Sequence, residues 1–344
     1  VILVKRSLFK PKIQKEPLKL IIQIPCLNEE ETLQKTLEDL PKKLPGIDQI
    51  EILIIDDGST DGTVKRAIEL GVDHVLSFPN NKGLARAFSA GLHACIYLNA
   101  DIIVNTDADN QYYGGGISKI VEPILKHKAD MVIGCRPISE MSEFSFLKKC
   151  LQRLGSFIVR QLSNTDIADA TSGFRAFSRY AALRINVVSQ FSYTLESIIQ
   201  AGSRSITIVG VSISVNPKTR ESRLFKSNWQ YIVKSISIML RLSTQFRPAK
   251  TFSLVGGLSL VSGFLLGVRY LNFFFTGSPS GHEQSSILSA ILLLFGGFSF
   301  LAGLLADQIG ANRQLIEEVI ALQRDQYRQS QGYQIPYLIY SRPK

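Results

Sequence analysis

The chain has 344 residues, more than one average domain requires, and its hydrophobic residues, 45% of the total, are unevenly distributed along it. A formal net charge of +10 points to nucleic acid or an anionic membrane; no segment resembles a module that reads RNA or DNA, and two long apolar runs decide for the membrane. Cys26, Cys95, Cys135 and Cys150 are far apart with no Cys-x-x-Cys pair, which argues against a zinc site and suits reduced thiols.

Residues 1–17 form a basic arm with Lys5, Arg6, Lys10, Lys12 and Lys15, followed by neither an apolar run nor a small-residue cleavage site, so this region is expected to stay in the cytosol. From residue 18 short apolar runs alternate with helical patterns. Strands are expected at 18–24, 50–55, 102–106 and 131–134, and helices at 31–40, 63–70, 84–98 and 113–126. That alternation predicts a doubly wound α/β domain with a mostly parallel sheet, spanning residues 18–225. Within it, residues 144–162 place Phe144, Leu147, Leu151, Leu154 and Ile158 at helical spacing among Lys148, Lys149, Arg153 and Arg160, the pattern of an interfacial helix. A second such helix is expected in the juxtamembrane region 226–250, around Trp229.

Residues 251–310 hold the two apolar runs. Residues 252–275 contain one charge, Arg269, and residues 287–306 contain none, so each is long enough to cross a hydrocarbon core of about 30 Å. The connecting residues 276–286 carry no Lys or Arg, whereas Arg241, Arg247 and Lys250 precede the first run and Arg313 and Arg324 follow the second. The positive-inside rule then expects a hairpin with both chain ends in the cytosol. Residues 311–344 are expected to form a cytosolic helix and tail.

In an open α/β sheet, ligands bind beyond the carboxyl ends of the strands. The first strand runs into Pro25-Cys26-Leu27-Asn28-Glu29, the second into Asp56-Asp57-Gly58-Ser59, and the strand at 102–106 into Asp107-Ala108-Asp109-Asn110-Gln111. Two carboxylates one residue apart can both reach a hard cation such as Mg²⁺ or Mn²⁺, which completes its shell with phosphate oxygens. Asp56 and Asp57 are suited to accept hydrogen bonds from a base or ribose, or alternatively to cap the helix at 63–70, a task Ser59 or Asp61 could fill. Asn28 has the same two readings. Residues 169–175, Asp-Ala-Thr-Ser-Gly-Phe-Arg, suit an acceptor site. The cations of residues 216–223 suit a lipid phosphate or a diphosphate, or else anionic headgroups.

Together these motifs resemble glycosyltransferase family 2, in particular the polyprenyl-phosphate glycosyltransferases related to dolichyl-phosphate mannose synthase. The matching segments are 24–30 (Ile-Pro-Cys-Leu-Asn-Glu-Glu), 56–62 (Asp-Asp-Gly-Ser-Thr-Asp-Gly), 81–85 (Asn-Lys-Gly-Leu-Ala), 107–109 and 171–175, in the order the family has them. The resemblance implies a GT-A fold and an inverting transfer, with a divalent metal, Mg²⁺ or Mn²⁺, on Asp107, Asp109 and Gln111. It implies nucleotide-sugar contacts from Pro25, Asn28, Glu29, Asp57, Lys82, Asp107 and Arg136, with Asp169, Asp109 and Arg175 in catalytic roles. Ser172, Arg220 and Arg223 would meet phosphate or acceptor. The segment 220–223 reads Arg-Glu-Ser-Arg where dolichyl members often carry Gly and Lys, and the two-run hairpin is more like the bacterial glucosyl-transferring members.

The expected reaction moves a hexose from a nucleotide-sugar, UDP-glucose first and GDP-mannose second, to undecaprenyl or dolichyl phosphate. It would take place at the cytosolic face of the plasma (inner) membrane, in a homo-oligomer with a tetramer as one option. The competing readings are a transferase acting on a lipid-linked or soluble glycan and an inactive membrane scaffold. A processive polysaccharide synthase lacks support because no Gln-x-x-Arg-Trp signature surrounds Trp229.

Overall fold

The structure is a computed structural model that describes residues 17–137, 160, 165, 167–187, 193–204, 206–216, 237, 241, 243–277, 283–326 and 335–342. The basic arm, most of the two expected interfacial stretches, Arg220 and Arg223 lie outside the described residues.

Eight strands form one sheet: β1 (Lys19–Cys26), β2 (Gln49–Asp56), β3 (His74–Ser77), β4 (Ile102–Asn105), β5 (Met131–Cys135), β6 (Arg175–Ser178), β7 (Ile208–Ser212) and β8 (Leu338–Ser341), in the order β7-β5-β6-β4-β1-β2-β3-β8. Strands β1 to β4 run parallel, as do β5 and β7, while β6 lies antiparallel between β4 and β5 and β8 lies antiparallel on β3. The expected strands are all present, each extended or trimmed by a residue or two. The sheet is more mixed than the alternation implied, because β6 and β8 arrive from segments with no helical crossover pattern.

The helices around it are α1 (Leu33–Glu38), α2 (Thr63–Glu69), α3 (Leu84–Tyr97), α4 (Gly116–Leu125), α5 (Arg179–Arg184) and α6 (Tyr193–Ser203). Alternation along β1 sends Leu20, Ile22 and Ile24 to the core beneath α1, α2 and α4, and Ile21 to the core beneath α3, α5 and α6. Both faces are thus covered, as parallel strands buried on both sides require. Phe88 and Phe177 are fully buried on the α3 side, and each stabilises the fold by about 1.5–3 kcal/mol through burial.

Two long helices follow, α7 (Pro248–Phe275, 28 residues) and α8 (Glu283–Gln326, 44 residues). Both are apolar enough to cross a membrane, and their most apolar windows are only 17% and 22% buried. A soluble core helix would hide those side chains; here Leu254, Phe264, Leu294 and Leu305 point outward, as lipid-facing residues do. The pair fits a transmembrane hairpin. Its two helices approach closely at Gly256 and Gly296, and Ser259 Oγ donates to Leu292 O (2.9 Å) and Ser289 Oγ to Gly263 O (2.6 Å).

Helix α8 would be about 66 Å long at 1.5 Å per residue, roughly twice a hydrocarbon core, and its second half returns to the catalytic domain. Arg184 Nη2 meets Glu318 Oε1 at 2.6 Å, Arg179 Nε meets Asp325 Oδ1 at 3.2 Å, Arg204 pairs with Glu317, and Ala321 enters the α3-side core. The tail then adds β8 to the sheet edge, an element the sequence pattern had left as tail.

At the amino end of the sheet Glu51 is nearly buried and receives Lys19 Nζ (2.6 Å) and His74 Nε2 (2.8 Å). Burial alone would raise its carboxyl, but the hydrogen bonds from His74 and Lys19 and their charges outweigh it and hold Glu51 near 2 instead of 4.5. A depressed carboxyl contributes stability that is complete above its unfolded value and is lost as pH falls toward the folded one. Glu51→Gln is expected to lose roughly 3 kcal/mol at neutral pH and to flatten the acid side of the stability profile. Thermal unfolding of the detergent-solubilised protein from neutral pH down through 4.5 toward about 2 measures both effects.

Candidate functional site

The register brings the polar segments to one edge. Cys26 pairs with Asp56, Asp56 with Ser77, and Gln23 with Asn105, so the loops after β1, β2, β3 and β4 leave the sheet side by side. Because β6 is antiparallel, its start lies at this same edge: Arg175 pairs with both Asn105 and Ile133. Residues 169–174 therefore stand beside Asp107 and Arg136.

The first two loops are cross-linked. Asn28 takes φ 55, its N–H donates to Ser59 Oγ (2.9 Å), and its Oδ1 accepts from Thr60 N (2.9 Å). It therefore ties loop to loop and does not cap α1. Glu29 N donates to Thr63 Oγ1 (2.9 Å), while its carboxylate accepts from Thr32 Oγ1 (2.6 Å) at the start of α1. Pro25 is buried within β1. The N-cap position of α2 is Gly62, and the first helical N–H, that of Thr63, is taken by Asp61 Oδ1 (3.0 Å), leaving Asp56 and Asp57 for other work. Asp56 accepts from Ser77 Oγ (2.7 Å), and Asp57 accepts from the N–H groups of Lys82 (2.8 Å) and Gly83 (3.0 Å). Burial, followed by repulsion from Asp56, outweighs those N–H bonds and raises the Asp57 carboxyl. Gly58 is required where it stands, since φ is +76 and a Cβ would lie 2.4 Å from the Asn80 carbonyl carbon.

The loop after β4 is pinned from several sides. Thr36 Oγ1 donates to Ala108 O (2.8 Å), Asn216 Nδ2 to Asn110 O (3.0 Å), and Asn216 N to Gln111 O (2.8 Å). Asp109 Oδ1 accepts from Gln111 N (3.1 Å). Burial and the neighbouring Asp109 charge push the Asp107 carboxyl up to about 7, and no described residue donates a hydrogen bond to it. Gly173 passes directly over that carboxylate, where a Cβ would stand 3.1 Å from both oxygens and 2.8 Å from the Tyr193 hydroxyl. Among the described residues no group of three or more His, Cys, Asp or Glu side chains is arranged to hold a metal. The donor set is a carboxylate pair, which fits a hard cation that takes its other ligands from phosphate and water.

On the far side, Asp169 is fully buried and bound bidentately by Arg136, Nε to Oδ2 at 2.7 Å and Nη2 to Oδ1 at 3.2 Å, with Thr171 Oγ1 also on Oδ1 (2.9 Å). Burial acts to raise the Asp169 carboxyl, but the Arg136 hydrogen bonds and charge and the Thr171 hydroxyl prevail and hold it below the usual range.

Arg175, expected in a catalytic role, and Ser172, expected at the phosphate or acceptor, both stand elsewhere. Arg175 is fully buried beneath the site: Nε donates to Ser172 O (2.8 Å), Nη2 to Ala170 O (2.9 Å), and Nη1 to Thr194 O (2.8 Å) and Ser197 Oγ (2.7 Å). Ser172 is also fully buried, and its Oγ accepts from Phe174 N (3.3 Å). Both serve the turn that carries Asp169. The sequence reading missed three residues that hold this turn against β4: Asn105, whose Nδ2 donates to Gly173 O (2.8 Å) while Oδ1 accepts from Gln23 Nε2 (2.8 Å), and Tyr112, whose hydroxyl accepts from Gly173 N (3.1 Å), with Tyr193 nearby. An Asn and a Gln inside otherwise apolar strands were the available signal.

A structural Arg175 carries a clear expectation. Arg175→Lys and Arg175→Met each leave buried carbonyls unsatisfied and should cost about 3 kcal/mol or more of stability. A phosphate ligand would instead lose activity with an unchanged melting temperature, so paired thermal unfolding and turnover measurements separate the two roles.

The family description Glycosyl transferase family 2 matches residues 21–185, which run from within β1 through β6 and include all the acidic loops above. A UDP-N-acetylglucosamine–dolichyl-phosphate N-acetylglucosaminyltransferase of Methanococcus voltae is 33% identical over 177 residues, covering 46% of this chain and 68% of that protein. An undecaprenyl-phosphate 4-deoxy-4-formamido-L-arabinose transferase of Photorhabdus laumondii is 28% identical over 85% of this chain and 89% of its own length. Among solved structures, glucosyl-3-phosphoglycerate synthase of Mycobacterium tuberculosis, crystallised with Mn²⁺, UDP and glucosyl-3-phosphoglycerate, superposes with a TM-score of 0.51 at 20% identity, covering 66% of this chain and 79% of that one. That likeness is one of fold. With the acidic loops falling inside the matched segment, and a relative one-third identical covered over two-thirds of its length, the chain belongs to glycosyltransferase family 2 and is a glycosyltransferase.

Proposed function

We propose that this glycosyltransferase moves a hexose from a nucleotide-sugar, UDP-glucose with GDP-mannose as the alternative, onto polyprenyl phosphate with inversion at the anomeric carbon. The observation that carries the reading is the shared edge: the Asp57–Lys82 loops, the Asp107–Asp109 pair and the Arg136–Asp169 pair project together from a domain clamped to an apolar hairpin. The acceptor class is supported by the names of the Methanococcus voltae and Photorhabdus laumondii relatives, both transferases to a polyprenyl phosphate.

In this reading Asp57 and Lys82 line the nucleotide end with Pro25, Asn28 and Glu29. Asp107 and Asp109, with Gln111, would hold Mg²⁺ or Mn²⁺, which when bound neutralises charge on the departing diphosphate. An oxygen of the lipid phosphate attacks the anomeric carbon, a new carbon–oxygen bond forms, and the bond to the nucleoside diphosphate breaks with its electrons. The acceptor's second ionisation lies at about 6, so at neutral pH the nucleophile is already largely a dianion and little proton removal is needed. Asp169, ionised and locked to Arg136, orients that cation toward the phosphates. Arg220 and Arg223 are assigned to the lipid phosphate from the sequence.

Arg241 and Arg247 before α7, Lys250 in its first turn, and Arg313 and Arg324 in the second half of α8 favour a cytosolic catalytic domain and cytosolic chain ends, in the plasma (inner) membrane. A Cβ built at Gly257 or Gly297 would meet no described residue of another element within 4 Å, which leaves room for a second hairpin in a homo-oligomer such as a tetramer.

Purified protein incubated with Mg²⁺, polyprenyl phosphate and a panel of labelled nucleotide-sugars should place label in the lipid fraction; label in none of them refutes the acceptor assignment. Asp107→Asn and Asp109→Asn should each lower turnover by about 100-fold or more and weaken Mn²⁺ binding measured by electron paramagnetic resonance. Asp169→Asn should lower turnover by loosening Arg136, with the shape of the pH profile retained. Recovery of that variant only at high pH would show Asp169 to be a general base instead.

A further inference from the structure

The chain's last described segment reaches the nucleotide end of the site. Strand β8 pairs antiparallel with β3 and places Leu338 opposite Leu76. Just before it Tyr337 adopts φ 64, and its carbonyl accepts from Ser77 N (3.0 Å). The Tyr337 ring meets Phe78 edge-on, with centroids 5.3 Å apart and planes at 85°. Above these two rings stands the Lys82 ammonium, 4.6 Å from the Phe78 centroid and 4.2 Å from that of Tyr337. The backbone N–H of the same Lys82 is held by Asp57 Oδ1 at 2.8 Å.

Edge protection alone does not account for this arrangement. Residues 338–341 already cover the exposed side of β3. A bulky side chain in the left-handed region is strained and persists only where its surroundings fix it. Tyr337 is also 48% exposed, so core packing is not what holds it. What the turn achieves is to carry a second aromatic face to Lys82. A cation is drawn to the negative faces of aromatic rings, and an ammonium confined there loses less freedom when an anion binds.

We propose that Tyr337 is a positioning residue for donor binding. With Phe78 it holds the Lys82 ammonium beside the Asp57 loop, ready for the nucleoside diphosphate part of the donor. The tail that follows the membrane hairpin thereby contributes to the nucleotide site without touching the sugar. This inference rests on the donor reading of that edge given above.

The test uses the full chain in detergent, with UDP and GDP as calorimetric probes and with donor and acceptor KM from steady-state turnover. Tyr337→Leu should raise the nucleotide Kd and the donor KM about 3–5-fold, leaving kcat and the polyprenyl-phosphate KM unchanged, and Tyr337→Phe should retain wild-type values. In a Lys82→Met background, Tyr337→Leu should add nothing, since the ring acts through the ammonium. Additive effects of Lys82→Met and Tyr337→Leu overturn the proposal, as does a Tyr337→Leu variant that loses kcat and melting temperature together. Wild-type protein that binds neither nucleotide refutes the donor reading and this inference together. Wild-type binding with an unaltered Tyr337→Leu variant refutes only the inference.

Discussion

The buried guanidinium of Arg175 sets the geometry of the whole edge. It stands at the first residue of β6, the strand inserted antiparallel between β4 and β5, and it bonds to the carbonyls of Ala170, Ser172 and Thr194 and the hydroxyl of Ser197. Burial lowers its pKa to about 10, so the group stays charged at neutral pH and its hydrogen bonds are of the stronger, charge-assisted kind. One side chain thus fastens the turn at residues 169–174 to α6 and to the sheet. The Asp169–Arg136 pair and the Gly173 backbone over Asp107 are positioned by that fastening.

A second constraint acts from the membrane side. Arg179, Arg184 and Arg204 each pair with an acid on the second half of α8, and Arg313 Nε meets Glu317 Oε1 at 2.9 Å within the helix. Exposed ion pairs contribute little singly, but Arg204 and Glu317 are mostly screened from solvent, and Ala321 adds apolar contact in the α3-side core. The catalytic domain is consequently joined to the hairpin by packed surface as well as by sequence.

Much of this was legible in the residues themselves. β1, β2, β4, β5 and α3 announced themselves because a strand buried on both faces reads as a continuous apolar run and a packed helix repeats near 3.6 residues. Asp107, Asp109, Asn28 and Asp57 were legible because strand ends at one sheet edge share a location once the parallel order is inferred. β6 was hidden in a polar stretch, and its antiparallel course depends on pairing with strands distant in sequence. β8 offered only the short run Leu338-Ile339-Tyr340, whose partner lies more than 260 residues earlier, as the His74–Ser341 contact records. Arg175 and Ser172 were misplaced for a different reason. A polar side chain beside a site reads the same in sequence whether it faces a ligand or the chain's own carbonyls, and only burial separates the cases. Tyr337 carried no local signal at all.

The continuity of α8 has a mechanical consequence. One uninterrupted helix runs from the apolar hairpin to the pairs at Glu318 and Asp325, so the distance of the acidic edge from the apolar stretch and its compass bearing are set by a residue count. Each residue inserted between the apolar stretch and Glu317 would move the acids by about 1.5 Å along the axis and turn them by about 100°, parting them from Arg179, Arg184 and Arg204 of a domain that α7 also holds. Length changes in this stretch are therefore tolerable only near whole helical turns. Helix α8 works as a ruler and a keyed shaft at once, fixing how far the acidic edge stands from the apolar hairpin and which way it faces.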